Sequence, residues 1–171
     1  MSNPMMTLKD LYVEQLKDLY SAETQLLEAL PRMAAAASHA DLKTAFNDHL
    51  RETQDQVRRL DKIFSNLGVS PTGHTCKAMR GLILEAEEVL NTPADPDVRD
   101  AALIASAQRV EHYEMAGYGT VRTFAKHLEY DEAARELQQT LDEEGAADKK
   151  LTALAEGGWI TSGVNSDAMK R

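Results

Sequence analysis

Leu137-Gln-Gln-Thr-Leu141-Asp-Glu-Glu144-Gly-Ala-Ala-Asp148-Lys-Lys-Leu151-Thr-Ala-Leu-Ala155 is the stretch that decides the fold. Leu137, Leu141, Glu144, Asp148, Leu151 and Ala155 recur in alternating steps of four and three, which places them on one face of an α-helix. That face is apolar except in its middle, where Glu144 and Asp148 interrupt it. A surface helix keeps its acids on the opposite side. Two acids inside the core stripe therefore predict a helix with a polar duty in the interior.

Three other segments repeat the pattern. The first starts near Thr7, an N-cap with Asp10 three residues on in capping-box spacing. Its stripe runs through Leu16, Leu19, Leu27 and Leu30, with Glu23 at the centre. Pro31 is expected to kink or break it. The second begins after Asp41 and ends at Gly68; the face through Ala45, Leu60 and Ile63 also carries His49, Glu52 and Gln56. The third opens around Asp97; the face through Ala107, Tyr118 and Val121 carries Glu111 and Glu114. A shorter helical pattern spans Cys76 to Leu90 between two Pro- and Gly-containing loops, and Gly157-Gly158 closes the last long helix. The order long, long, short, long, long implies two antiparallel hairpins joined by one long crossover carrying a short extra helix. That is an all-α, ferritin-like four-helix bundle over residues 1–158, with 159–171 as a polar, partly loose C-terminal tail. An up-down bundle with a fifth helix docked outside is the plainer alternative.

Composition agrees and narrows the function. The 171 residues carry a formal charge of −9 and only 5% aromatics, which disfavours a β-sandwich and leaves no dense basic patch for nucleic acid. One cysteine, Cys76, excludes an internal disulfide and a Cys-based zinc site within the chain, and it fits a reducing compartment. No apolar run is long enough for a membrane span, and no basic, apolar secretory leader is read at the start. The expected location is cytoplasmic, with neither nucleic acid nor membrane as partner.

Carboxylates in all four core stripes need an explanation. Each unpaired buried anion costs several kcal/mol. Protonation, a buried Arg or Lys, or a polyvalent cation can compensate, and the stripes hold no obvious basic partner near these acids. Oxygen-rich sites with a little nitrogen suit Fe, Mn or Zn. Glu23 and Glu52 are spaced much as Glu114 and Glu144 are, and Glu52 and Glu144 each have a second oxygen donor four residues on, in Gln56 and Asp148. Two such hairpins face to face give a carboxylate box around two metal ions per chain, iron first, with manganese or zinc as alternatives. The expected ligands are Glu23, His49, Glu52, Glu111, Glu114, Glu144 and Asp148. The choices between Gln56 and His49, and between Glu111 and Glu114, stay open. Ferritin-like di-iron proteins use Glu-x-x-His on two helices; here Asp55 and Ala147 stand three residues after Glu52 and Glu144.

Other polar residues read as structural. His39, His74, His112 and His127 are expected at the surface or in loops, and Cys76 is expected to be inert. Tyr118 reads first as a core aromatic with its hydroxyl satisfied, and second as a hydrogen-bond partner of a ligand carboxylate.

The segments Leu19-Tyr20-Ser21-Ala22-Glu23-Thr24-Gln25-Leu26-Leu27, His49-Leu50-Arg51-Glu52-Thr53, Gln56 with Arg59-Leu60, Val110-Glu111-His112-Tyr113-Glu114 with Tyr118-Gly119-Thr120, and Leu141-Asp142-Glu143-Glu144 with Asp148 and Leu151 together resemble the YciE/YciF-type family. This is a bacterial branch of the ferritin-like superfamily, and the likeness runs from about Thr7 to Ala155. The resemblance implies a four-helix bundle with a di-metal site, a homodimer, and a link to bacterial stress responses. Three readings follow. In the first, a di-metal (iron or manganese) centre bridged by Glu52 and Glu144 reacts with O2 or a peroxide, giving an oxidase or a peroxidase-like activity. The second is a non-catalytic bundle with a structural metal or none, whose work lies in protein contacts. The third, iron storage in a shell, is disfavoured because the chain shows no evident fifth helix after the fourth.

Overall fold

A computed structural model describes residues 5–157 and 162–169. Among the described residues six helices follow in order: α1 (Leu8–Ala36), α2 (Ala40–Leu67), α3 (Lys77–Asn91), α4 (Pro96–His127), α5 (Asp131–Glu156) and α6 (Val164–Ala168). The turns between α1 and α2 and between α4 and α5 are so short that each pair must fold back as an antiparallel hairpin. In the bundle α1 lies beside α2 and α4, and α5 beside α2 and α4, while α3 packs on α1 and α4. This is the expected ferritin-like bundle, with α3 in the crossover.

Local chemistry sets the helix ends. The Asp10 amide donates to the Thr7 hydroxyl at 3.1 Å and the Thr7 amide donates to Asp10 at 2.9 Å, which completes the capping box. Asp95 caps α4 ahead of Pro96, and Gly68 ends α2 in the left-handed region at φ 65°. α2 starts slightly earlier than expected, at Ala40 rather than after Asp41, with His39 as its N-cap, accepting from the Asp41 amide through Nδ1 at 3.3 Å.

Pro31 neither breaks nor ends the first helix, which runs on to Ala36. Its ring faces solvent, and Leu30, Met33 and Ala34 on either side are buried in the core. Packing of those side chains offsets the missing backbone hydrogen bond. The tail also departs from expectation within its described part. Within residues 162–169, Val164–Ala168 form the short helix α6 against α4 and α5, with Val164 buried in the core. Trp159, Ile160, Thr161, Lys170 and Arg171, also assigned to the tail, lie outside the described residues.

The core comes in two apolar blocks. One gathers Tyr12, Leu16, Leu19, Leu60, Ile63, Phe64, Val121 and Leu137. The other gathers Leu26, Leu30, Leu42, Phe46, Met79, Leu103, Ile104 and Leu151. Along every long helix the residues between the two blocks are polar and buried: Glu23, then His49, Thr53 and Gln56, then Glu111 and Glu114, then Glu144. The bundle thus carries a polar layer across its waist, closed off above and below by hydrocarbon.

Candidate metal centre

The polar layer follows from helix register. His49 and Gln56 are seven residues apart and share one face of α2; Glu111 and Glu114 are three apart and share one face of α4. Glu23 from α1 and Glu144 from α5 complete the layer. Glu23, Glu114 and Glu144 are 0% exposed. One donor atom from each of His49, Glu111, Glu114 and Glu144 can be chosen so that all four lie within 4.8 Å of one another. His49 Nε2 stands 3.3 Å from Glu111 Oε1 and 3.8 Å from Glu144 Oε2.

The partners of these groups are incomplete. The Tyr118 hydroxyl donates to Glu23 Oε1, and Gln56 Nε2 donates to Glu144 Oε1. Glu23 Oε2, His49 Nε2, Gln56 Oε1, Glu111 Oε2, Glu144 Oε2 and both oxygens of Glu114 are buried without a hydrogen-bond partner. Buried carboxylate oxygens that point at one another and at an imidazole nitrogen need protons or a cation between them. A hard divalent ion with oxygen and imidazole preference fits this donor set.

The surroundings orient the donors. Glu143, next to Glu144, is gripped by both Arg59 amino groups at 2.6 Å and also accepts from Gln56 at 3.3 Å. Gln56 is therefore held on one side while it holds Glu144 on the other. His49 Nδ1 lies 3.4 Å from Glu52 Oε2. A ring that donates there keeps the Nε2 lone pair for the centre, the arrangement by which a carboxylate fixes the tautomer of a metal-binding imidazole.

Electrostatics agrees. Burial pushes the Glu23 carboxyl up to about 7, against the opposing hydrogen bond from Tyr118 and the nearby His49. Burial raises Glu114 and Glu144 well above the ordinary carboxylate range, and the neighbouring glutamates add to the effect; Glu111 is raised as well, chiefly by burial. Burial works to lower His49, but the charges and hydrogen bonds of Glu111, Glu52 and Glu23 outweigh it and leave the ring raised. Four acids that resist ionisation around one base amount to a centre charged for proton or metal exchange.

Of the residues singled out in the sequence, the structure gathers Glu23, His49, Glu111, Glu114 and Glu144, and leaves two apart. The Glu52 side chain is 47% exposed and meets the layer only through His49. Asp148 turns to the α4–α5 rim, where it accepts from Gln108 at 3.2 Å and lies 3.3 Å from His112 Nε2. Tyr118 is a buried core aromatic whose hydroxyl is satisfied by Glu23, as its first reading has it. His39, His74, His112 and His127 all lie outside the layer. Cys76, buried at the start of α3, lies 2.9 Å from the Tyr113 hydroxyl, which donates to Asp18. The sequence reading had no signal for Arg59 and Glu143 as supports of the layer, because both fall at its edge rather than in a stripe.

Comparisons with known proteins fit this architecture. The family model described as Domain of unknown function (DUF892) matches residues 7–168. Protein YciF of Escherichia coli (strain K12) is 49% identical over 154 residues, covering 88% of this chain and 92% of its own. The crystal structure of the E. coli stress protein YciF superposes with a TM-score of 0.87 at 43% identity, over 98% of this chain and 100% of that one. YcfI of Rhodopseudomonas palustris, described as a candidate structural protein, superposes with a TM-score of 0.86 at 45% identity, over 91% and 99%. A ferritin-like, diiron-carboxylate protein of Bacillus anthracis str. Ames superposes with a TM-score of 0.69 at 18% identity, over 88% and 99%, a likeness of fold alone. Among the described residues no helix is long and apolar enough to cross a membrane. With its two hairpins, its crossover helix and these likenesses, the chain belongs to the DUF892 family, in which it is similar to YciF, and it has a ferritin-like bundle fold.

Proposed function

We propose that the protein binds two divalent metal ions, iron by preference, in the waist of the bundle and uses them in a stress response that consumes O2 or a peroxide. The observation that carries this reading is the set of unpartnered buried donors on His49, Glu111, Glu114 and Glu144, with Glu23 beside them. His49, with Nε2 unpartnered, and the glutamates, with their unpartnered oxygens, are the residues that would hold the ions. Tyr118 fixes Glu23, Gln56 fixes Glu144, and the two apolar blocks close the layer above and below. When bound, iron or manganese would supply the redox couple that the side chains lack. The stress connection rests on the E. coli relative, which is called a stress protein. A cytoplasmic homodimer completes the proposal, and light scattering on the purified protein checks the dimer.

The test is elemental analysis of the purified protein, then anaerobic Fe(II) titration and exposure to O2 and to peroxide. The expected result is about two ions per chain and oxidation faster than in buffer alone. Absence of metal under every loading condition overturns the proposal. A second reading, a non-catalytic bundle with a structural ion or none, is favoured by the description of the R. palustris relative as a candidate structural protein. Tight metal binding without any reaction would decide for that reading.

A further inference from the structure

The polar layer is sealed by hydrocarbon above and below, yet one side of it is open. A cavity of about 100 Å³ lies between α2 and α5, with His49 and Glu111 among its lining residues. Those two carry buried, unpartnered atoms, His49 Nε2 and Glu111 Oε2. The cavities at the end of the bundle, beside Tyr12 and Tyr130, and under α3, beside Leu82 and Ile83, touch none of the layer's residues. On the α5 side the lining includes Ala147, where the helix shows a methyl and nothing larger. At the outer edge stand the exposed Glu52 and the half-buried Asp48. Across that edge Lys150 of α5 reaches Asp48 of α2 at 3.0 Å.

We propose that this cavity is the passage by which a divalent cation reaches the layer, that Asp48 and Glu52 are the carboxylates that receive it, and that the Asp48–Lys150 ion pair gates the mouth. The inference rests on the metal-binding reading above and adds the route and its control. The volume holds about three waters. A fully hydrated ion is larger than that, so the cation must shed part of its shell on the way in. Carboxylates at the mouth are suited to replace the water lost, because a hard cation exchanges one oxygen ligand for another. The same narrowness admits molecules of the size of O2 or a peroxide and bars organic substrates. The ammonium of Lys150 opposes a cation at this point. Arg51 of α2 already pairs with the other oxygen of Asp48; the Lys150 pairing adds a second positive charge there and ties the two helices across the opening.

Rates of metal uptake test this. Metal-free protein, stripped with a chelator, is mixed with Co(II) in a stopped-flow instrument, and the visible absorption of the bound ion is followed. Ala147→Phe should fill the passage and slow uptake about tenfold or more, and Asp48→Asn with Glu52→Gln should slow it by a comparable factor through lost attraction. Lys150→Ala should speed it several-fold. Ala147→Phe and Lys150→Ala should leave the Co(II) bound per chain at equilibrium unchanged, since neither residue is a donor. Ala147→Leu serves as the milder obstruction if the phenylalanine disturbs folding, and Lys150, being exposed, carries the test independently. Wild-type uptake rates in both the Ala147 and Lys150 variants overturn the passage while leaving the centre intact. A wild-type protein that takes up no Co(II) overturns the metal reading itself, and the passage with it.

Discussion

Glu144 illustrates what a single residue in the layer must reconcile. It is fully buried, accepts one hydrogen bond from Gln56, and keeps one oxygen without a partner. Its charge is tolerable only when a cation or proton lies against it. Glu144→Gln removes the charge and keeps the shape. Metal content measured by elemental analysis should fall to half or less, and the metal-free variant should be more stable than wild type by about 1–3 kcal/mol in urea unfolding. Asp148→Asn, at the rim with Gln108 and His112, should keep full metal content. The contrast shows how far the site was legible in the sequence. The stripes placed Glu23, His49, Glu111, Glu114 and Glu144 inward because each lies between apolar residues at helical spacing. Glu52 and Asp148 were misplaced by angle. At about 100° per residue, Glu52 sits about 60° round the helix from His49, and Asp148 about 40° from Glu144. Those offsets are small on a helical wheel, yet they carry a side chain from the centre of a bundle to its edge. Whether a residue falls on one side or the other depends on the neighbouring helix, which spacing alone does not contain.

At the scale of elements, the long helices were readable because their periodicity is repeated many times, whereas α6 was not. Five residues make barely more than one turn and carry no stripe. α6 is held by the buried Val164, by a backbone bridge between Gly157 and Ser162, and by a close approach at Gly163. A Cβ at Gly163 would stand 2.3 Å from the Glu156 carbonyl carbon and from the Gly157 nitrogen. Gly163→Ala should therefore push α6 off α4 and α5 and expose Val164. The expected cost is about 1–3 kcal/mol, read as a lower Tm and as faster proteolysis of the tail, with the metal content unchanged. Pro31 teaches the converse. Local propensity argued for a break, but Leu30, Met33 and Ala34 bury their side chains on either side of it, and tertiary packing carries the helix through.

For the whole molecule, the layer makes the metal-free fold depend on pH in an unusual direction. Glu23 is raised to about 7 and Glu114 and Glu144 well above the ordinary range, so the folded state holds protons that the unfolded chain has already released. Raised His49 acts in the same sense, since its contribution is complete below the unfolded pKa and is lost as pH rises through the folded one. Stability must then fall as pH rises, from about pH 4.5 upward through 7. The acids whose pKa is lowered, Asp10, Asp48, Glu132 and Glu143, act oppositely but only below that window. The Tm of the metal-free protein should decline from about pH 5 to about pH 8, and loading with Mn(II) should flatten the decline. A Tm that instead rises over this range would contradict the burial of charge that the fold displays.

The donors are also divided between the two hairpins. Glu23 and His49 belong to α1 and α2, while Glu111, Glu114 and Glu144 belong to α4 and α5. Neither half can assemble the centre by itself. An ion held there would tie one hairpin to the other, so that filling the site would also stiffen the bundle around it.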